Sequence, residues 1–290
     1  MPAPWEVPVS SLAVHPRSDA LAARLWDASD RPGNVNLTFE GYTYPVYDAR
    51  QADVPAWPVA VDHPDWGGNL PASVPWNRAW RPASGSDGQA IVVDEAAGLE
   101  WDLWRVRPDP ASRRLRVGNG SVVALGLQGW PASRGCGIPY LAMLVRPAEV
   151  AAGVIPHALS MPIKGVHASL FVPPATRTDG PTWGVPDGIP EGTRFALRVT
   201  DDELGAWAAT LPPETGASAL VIGRALRDQG VVITDHAGAA IIQFEDRLTA
   251  GPRWDALGLG ERTVGGKRFP RDLLDGLWTR ERIYALAPPA

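Results

Sequence analysis

The 290-residue chain is 45% hydrophobic and 20% charged with a formal charge of −5, the balance of a folded globular protein and not of a disordered one. Its mild acidity argues against a nucleic-acid partner, which needs a concentrated basic face. A lone cysteine, Cys136, argues against an internal disulfide, and no apolar run approaches the roughly 20 residues that cross a bilayer.

Along the chain, the first eighteen residues carry neither a basic start nor an apolar run, so no secretion signal is expected. Ser18 is placed to cap a short helix with Leu21, Ala22, Leu25 and Trp26 on one face, and "RPGN" (31–34) stops it. From Asn34 to about Arg198 the pattern is that of strands. "NLTFEGYTYPVYDA", "GQAIVVD", "LEWDLWRV", "SVVALGL", "HALSMPI" and "TRFALRV" alternate or run apolar between turn residues. The 30 prolines and 30 glycines are spread along the chain, as many short strands require. Residues 54–82, rich in proline and holding Trp57, Trp66, Trp76 and Trp80, read as a long ordered loop of functional weight. The 13 tryptophans exceed what one core comfortably hides, which predicts exposed aromatic surface.

The last third changes character. Thr200-Asp-Asp-Glu203 is a capping box opening a short helix. "PPETGASALVIGRALRDQG" predicts a second helix stopped by Gly230. "VVITDHAGAAIIQFE" predicts a hairpin around His236-Ala-Gly238, and Pro270 a last helix running to about Trp278. The expected division is therefore an N-terminal extension (1–33), a β-sandwich core (34–200) and a mixed helix and hairpin segment (201–290) on the same domain. The expected fold class is mainly β, a jelly-roll-type sandwich with small peripheral helices.

The most informative stretch is "GSDGQAIVVDEAAGLEWDLWRV" (85–106). "EAAG" (95–98) suits a four-residue hairpin loop that pairs Asp94 with Leu99, Val92 with Trp101 and Ala90 with Leu103. Alternation then puts Trp101 and Leu103 on a core face. Glu100, Asp102 and Trp104 fall on the other, with Gln89 near Trp104. Two carboxylates two apart on a strand can act as an acid/base or acid/nucleophile pair on a glycosidic bond. They can also accept hydrogen bonds from sugar hydroxyls while an indole stacks on the apolar face of the ring.

The E-x-D spacing of Glu100 and Asp102 resembles part of the signature of laminarinase-like glycoside hydrolases. Those jelly-roll enzymes carry a further Glu where this chain has Trp104 and Arg105. A broader resemblance runs from about residue 12 to 245. It is carried by "AVHPRSDALAARLW", "YTYPVYDA", the 85–106 stretch, "RGCGIPYLAMLVRPAEVAAGVIPHALSMPI" and "DGIPEGTRFAL". Together these resemble a family of actinobacterial and actinobacteriophage proteins with an S-D-G-H strand and a G-x-I-x-H-A-L motif. Where that family often has His after S-D-G, this chain has Gln89, which cannot carry a proton at neutral pH. That departure favours binding over catalysis.

The remaining candidates each have a plainer role beside the functional one. His157 is either a cleft residue assisting Asp102 or a satisfied core histidine. Asp87 is a sugar contact or a turn-stabilising residue. Arg134 is a fork for an acidic sugar or a loop cap. Trp76, Trp80 and Trp130 are further aromatic contacts. His15, His63, His167 and His236 lack metal-ligand spacing, so neither metal nor cofactor is expected.

These features lead to an expectation of recognition of a bacterial envelope polysaccharide, as a phage tail or virion attachment protein located in the virion or extracellularly, otherwise in the cytoplasm. Other virion proteins and a second copy of the chain are compatible partners. One alternative is a glycan-cleaving hydrolase or lyase using Glu100 and Asp102 with His157. A second is a purely structural virion assembly protein.

Overall fold

The computed structural model describes residues 2–126, 134–181, 185 and 187–288. Strands dominate, joined by turns and five α-helices among the described residues. The mainly-β expectation therefore holds.

In the first half, two four-stranded sheets share one apolar core. One four-stranded sheet runs Val46–Asp48, Ala90–Asp94, Leu99–Trp104, Asn119–Ala124. The other runs Ser73–Val74, Trp57–Val61, Arg114–Val117, Arg107–Asp109. The hairpin register is the one that the "EAAG" loop predicts: Asp94 opposite Leu99, Val92 opposite Trp101 and Ala90 opposite Leu103. Trp101 and Leu103 face the opposing sheet and pack with Trp57, Trp76, Trp80, Leu115 and Val117. Trp76 and Trp80 are therefore core residues and not ligand contacts. Their neighbour Tyr47 stacks on Trp80 at 4.5 Å between centroids. Residues 54–82 are correspondingly not one long loop, since they supply two strands of the second sheet.

The second half gathers around the sheet Leu159–Ile163, Val231–His236, Arg194–Leu197, Ile283–Leu286. Its large apolar core includes Leu21 and Leu25 from the helix Ser18–Asp27 and Ile222 and Leu226 from the helix Pro213–Asp228. The Thr200 capping box is present, with Thr200 Oγ1 accepting from the Glu203 amide, and Gly230 ends the long helix at φ +66. This sheet joins strands from both sides of residue 200, and the N-terminal helix packs on its core. The sequence divisions at 33 and 200 therefore separate segments that share a core.

Three expectations change. Val231–His236 and Ala240–Gln243 are strands, but each finds a parallel partner, Leu159–Ile163 and Val35–Thr38 respectively, so no hairpin forms. Residues 270–278 form turns after a cis Phe269–Pro270 bond. Parallel pairings also occur inside the two first-half sheets, between Val46–Asp48 and Ala90–Asp94 and between Trp57–Val61 and Arg114–Val117. A jelly roll is antiparallel throughout, so the first half departs from that form.

Candidate functional site

The polar face of Leu99–Trp104 meets two different environments. Near its start it is covered by the segment around residue 140. Glu100 and Asp102 are 3% and 0% exposed. The Leu141 amide donates to Glu100 Oε1 at 2.8 Å and the Tyr140 amide to Asp102 Oδ2 at 3.1 Å. Tyr44, Ile91, Val93, Tyr140 and Leu144 pack on the same face. Burial pushes both carboxyls up from the usual range. The mutual approach of the pair raises Asp102 further, against the partial relief from the two amides and Arg134. These acids fasten the 140–141 turn and are closed off from solvent among the described residues, which corrects their assignment as the catalytic pair.

Two more candidates are structural. Arg134 is 1% exposed. Its guanidinium donates to Ser160 Oγ, to Gln243 Oε1 at 2.9 Å and to the Tyr140 carbonyl at 2.7 Å, and it lies over the Tyr44 and Tyr140 rings. It is a core clamp and no fork for a ligand. His157 is buried, with Nε2 at 2.9 Å from Glu149 Oε1 and Nδ1 at 2.9 Å from the Ala158 carbonyl. It does not join the cleft described next. Trp130 lies outside the described residues.

The far end of the same strand opens onto a cleft of about 380 Å³, within the range of small-ligand sites. Trp104, Gln89, Asp87 and Asn119 form one wall, and Trp66 stands beside them. The second wall is Arg177, Thr178, Asp179, Asp235 and His236, with Gly135 and Tyr140 behind. Trp66 is 54% exposed, and its ring lies 5.6 Å from that of Trp104. His63 stacks on Trp66 at 4.3 Å, and Arg105 covers part of Trp104 at 4.3 Å. The Gln89 Oε1 is buried without a hydrogen-bond partner. Arg177 braces the cleft by donating to the carbonyls of Trp66, Arg134 and Gly135.

The second wall holds a cluster of acids. One carboxylate oxygen each from Asp179, Glu191 and Asp235 lie within 4.8 Å of one another. The His236 amide donates to Asp179 Oδ1 at 3.0 Å and so fixes that side chain. Burial, then the Asp179 charge, push Glu191 up to about 9 and Asp235 well above the usual carboxylate range. Clustered, perturbed carboxyls at a cleft are what acid/base or metal chemistry requires. Gly135 gives them room, for a Cβ there would meet Asp235 Oδ1 at 2.6 Å and the Asp179 carboxyl carbon at 2.7 Å.

Of the predicted site residues, the structure thus brings together Asp87, Gln89 and Trp104. It adds Trp66, Asn119, Asp179, Glu191 and Asp235, none of which was singled out as a site residue. The one advance signal for Glu191 was its place in "DGIPEGTRFAL". No family model, no curated protein and no solved structure matches the chain.

Proposed function

We propose that the chain recognises a polysaccharide of the bacterial cell envelope through the cleft between Trp66 and Trp104, in the setting of virion attachment. The observation that carries this reading is the solvent-facing Trp66 indole beside Trp104 and a rim of carboxylate and amide groups. A lone exposed ring is ordinary, but this one is paired with Trp104 at a cleft rimmed by polar groups, as ligand-binding grooves are. Saccharide rings suit such a cleft: their C–H faces stack on indoles, while their hydroxyls donate to groups such as Asp87, Gln89, Asn119 and Asp235. The setting rests on the sequence resemblance.

The test is direct binding of host envelope polysaccharide by calorimetry. Saturable binding that weakens in Trp104→Phe and Trp66→Ala, with unchanged circular dichroism, supports recognition. No binding by the wild type overturns it and leaves the assembly reading, which then requires a large apolar contact between chains.

A second reading has its own support in the raised proton affinity of Glu191 and Asp235. Asp235 lines the cleft, and burial with the Asp179 charge raises its proton affinity well above the usual carboxylate range, as a general acid requires. Cleavage of a glycosidic bond would then fall to the Asp179, Glu191 and Asp235 group, and not to Glu100 and Asp102. New reducing ends or unsaturated products, lost in Asp235→Asn, would distinguish this reading from binding alone.

A further inference from the structure

We propose that Asp179, Glu191 and Asp235 bind a hard divalent cation, of which Ca²⁺ is the best fit, at the inner wall of the cleft. Three carboxylate oxygens within 4.8 Å of one another match the sphere of such an ion. Ca²⁺ accepts irregular carboxylate sets at bond lengths of about 2.3–2.6 Å, whereas Mg²⁺ demands a near-ideal octahedron and keeps much of its water, so three acids drawn from separate segments suit Ca²⁺ better. An all-oxygen set also selects Ca²⁺ or Mg²⁺ over Zn²⁺ or copper, which favour nitrogen and sulfur.

Clustered acids alone would not suffice, for carboxylates gather on many surfaces without a cation. The independent observation is Glu191. It is 0% exposed, and no hydrogen bond of ordinary length and angle reaches either oxygen, although the Thr178 hydroxyl and the Asp179 amide lie near enough to ease its charge in part. A buried carboxylate left in that condition costs free energy unless a charge answers it. Its nearest acidic neighbours are the other two members of the cluster, with one carboxylate oxygen of each within 4.8 Å. Among the described residues no salt bridge engages any of the three acids, and Arg134, a buried cation whose charge acts on Asp235, is committed to Ser160, Gln243 and Tyr140. Gly135 keeps the space in front of Asp179 and Asp235 free of a side chain. The backbone amide of His236 holds Asp179 from behind, leaving its other oxygen for the ion.

The three ligands come from separate segments: the loop before residue 180, the end of the strand Ile189–Glu191, and the strand Val231–His236. A cation there would tie the second wall together. Its remaining coordination positions would face the cleft, open to water or to hydroxyl or carboxylate oxygens of a ligand. Cation binding does not depend on the polysaccharide reading, and it is measured without glycan.

The experiment uses the full chain stripped with EDTA. Tb³⁺, a luminescent stand-in for Ca²⁺, is titrated with excitation of tryptophan, and melting temperature is followed against Ca²⁺, Mg²⁺ and Zn²⁺. The expected result is one equivalent of sensitised Tb³⁺, displaced by Ca²⁺, and a rise of about 5 °C in melting temperature at a hundredfold excess over Kd. Asp179→Asn and Asp235→Asn should each weaken binding at least tenfold, while the exposed control Asp202→Asn does not. The EDTA-treated Asp235→Asn variant should melt no lower than the EDTA-treated wild type, because removing one charge relieves repulsion. That reversal of order on adding Ca²⁺ separates lost binding from misfolding. Three results would overturn the proposal: no response of the wild type to 10 mM Ca²⁺ or Mg²⁺, a response confined to Zn²⁺, or binding indifferent to both cluster variants.

Discussion

The backbone N–H of Leu141 donates to Glu100 Oε1 at 2.8 Å, and the neighbouring amide of Tyr140 does the same for Asp102. This clasp ties the first half of the chain to the second. Both carboxyls have raised proton affinity in the fold, chiefly from burial. The folded state therefore holds protons that the unfolded chain releases at about pH 4, and stability falls as pH rises through the folded values. Asp102→Asn removes one of these groups, keeps an acceptor for Tyr140 and offers an N–H to Glu100. At pH 8 its unfolding free energy should match or exceed that of the wild type to within about 1 kcal/mol, with glycan binding unchanged. Urea denaturation at pH 5 and 8 checks this, and a loss of several kcal/mol would refute it.

The pair His157–Glu149 titrates in the same sense but for a different reason. Burial lowers the imidazole's proton affinity, but the hydrogen bond and charge of Glu149 outweigh it, and the net direction is upward. The pair's stabilisation is then full below the ordinary histidine value of about 6.5 and disappears as pH rises through the raised folded value. Glu149→Gln should cost about 1–2 kcal/mol at pH 5.5 and much less at pH 9. Melting curves across that range should converge for the two proteins at the alkaline end.

Particular residues show why some of this was legible in the sequence and some was not. The register of Asp94 on Leu99 follows from a four-residue loop and from side-chain alternation, both local. Which residues share the polar face was equally readable. Whether that face meets water was not. Its cover at Glu100 and Asp102 comes from Tyr140 and Leu141, about forty positions later, and no periodicity encodes such a contact. The strands at 231–236 and 240–243 are visible as apolar runs, yet their pairing is not, because each meets a parallel partner far away in sequence. A histidine-based search for metal spacing likewise passes over Asp179, Glu191 and Asp235, because three segments must fold before the acids meet.

Arg134 should be the most sensitive charged position in the core. Its guanidinium answers Ser160, Gln243 and the Tyr140 carbonyl at once while lying over two tyrosine rings. Lysine has one ammonium and cannot reproduce that planar fork. Arg134→Lys is expected to lose about 3 kcal/mol or more, as do other buried charges stripped of partners. The loss should appear in the denaturation midpoint. If the variant stays folded at low temperature, its glycan affinity should stay within about twofold of the wild type, since Arg134 does not line the cleft.

Trp57 and Trp66, nine positions apart, should respond to alanine in opposite ways. Trp57 is 0% exposed and lies in the shared core of the two first-half sheets, so its removal leaves a cavity and should cost about 3–5 kcal/mol. Trp66 is 54% exposed, and its ring stacks on His63 and lies tilted against Trp104. Its truncation should change stability by no more than about 0.5 kcal/mol while weakening polysaccharide binding about tenfold, the equivalent of about 1.4 kcal/mol. Binding and denaturation measured on the same two variants decide the matter. If Trp66→Ala binds as well as the wild type, the indole pair is not the recognition surface. If it unfolds like Trp57→Ala, the ring is holding the cleft wall in place and its exposure has another cause.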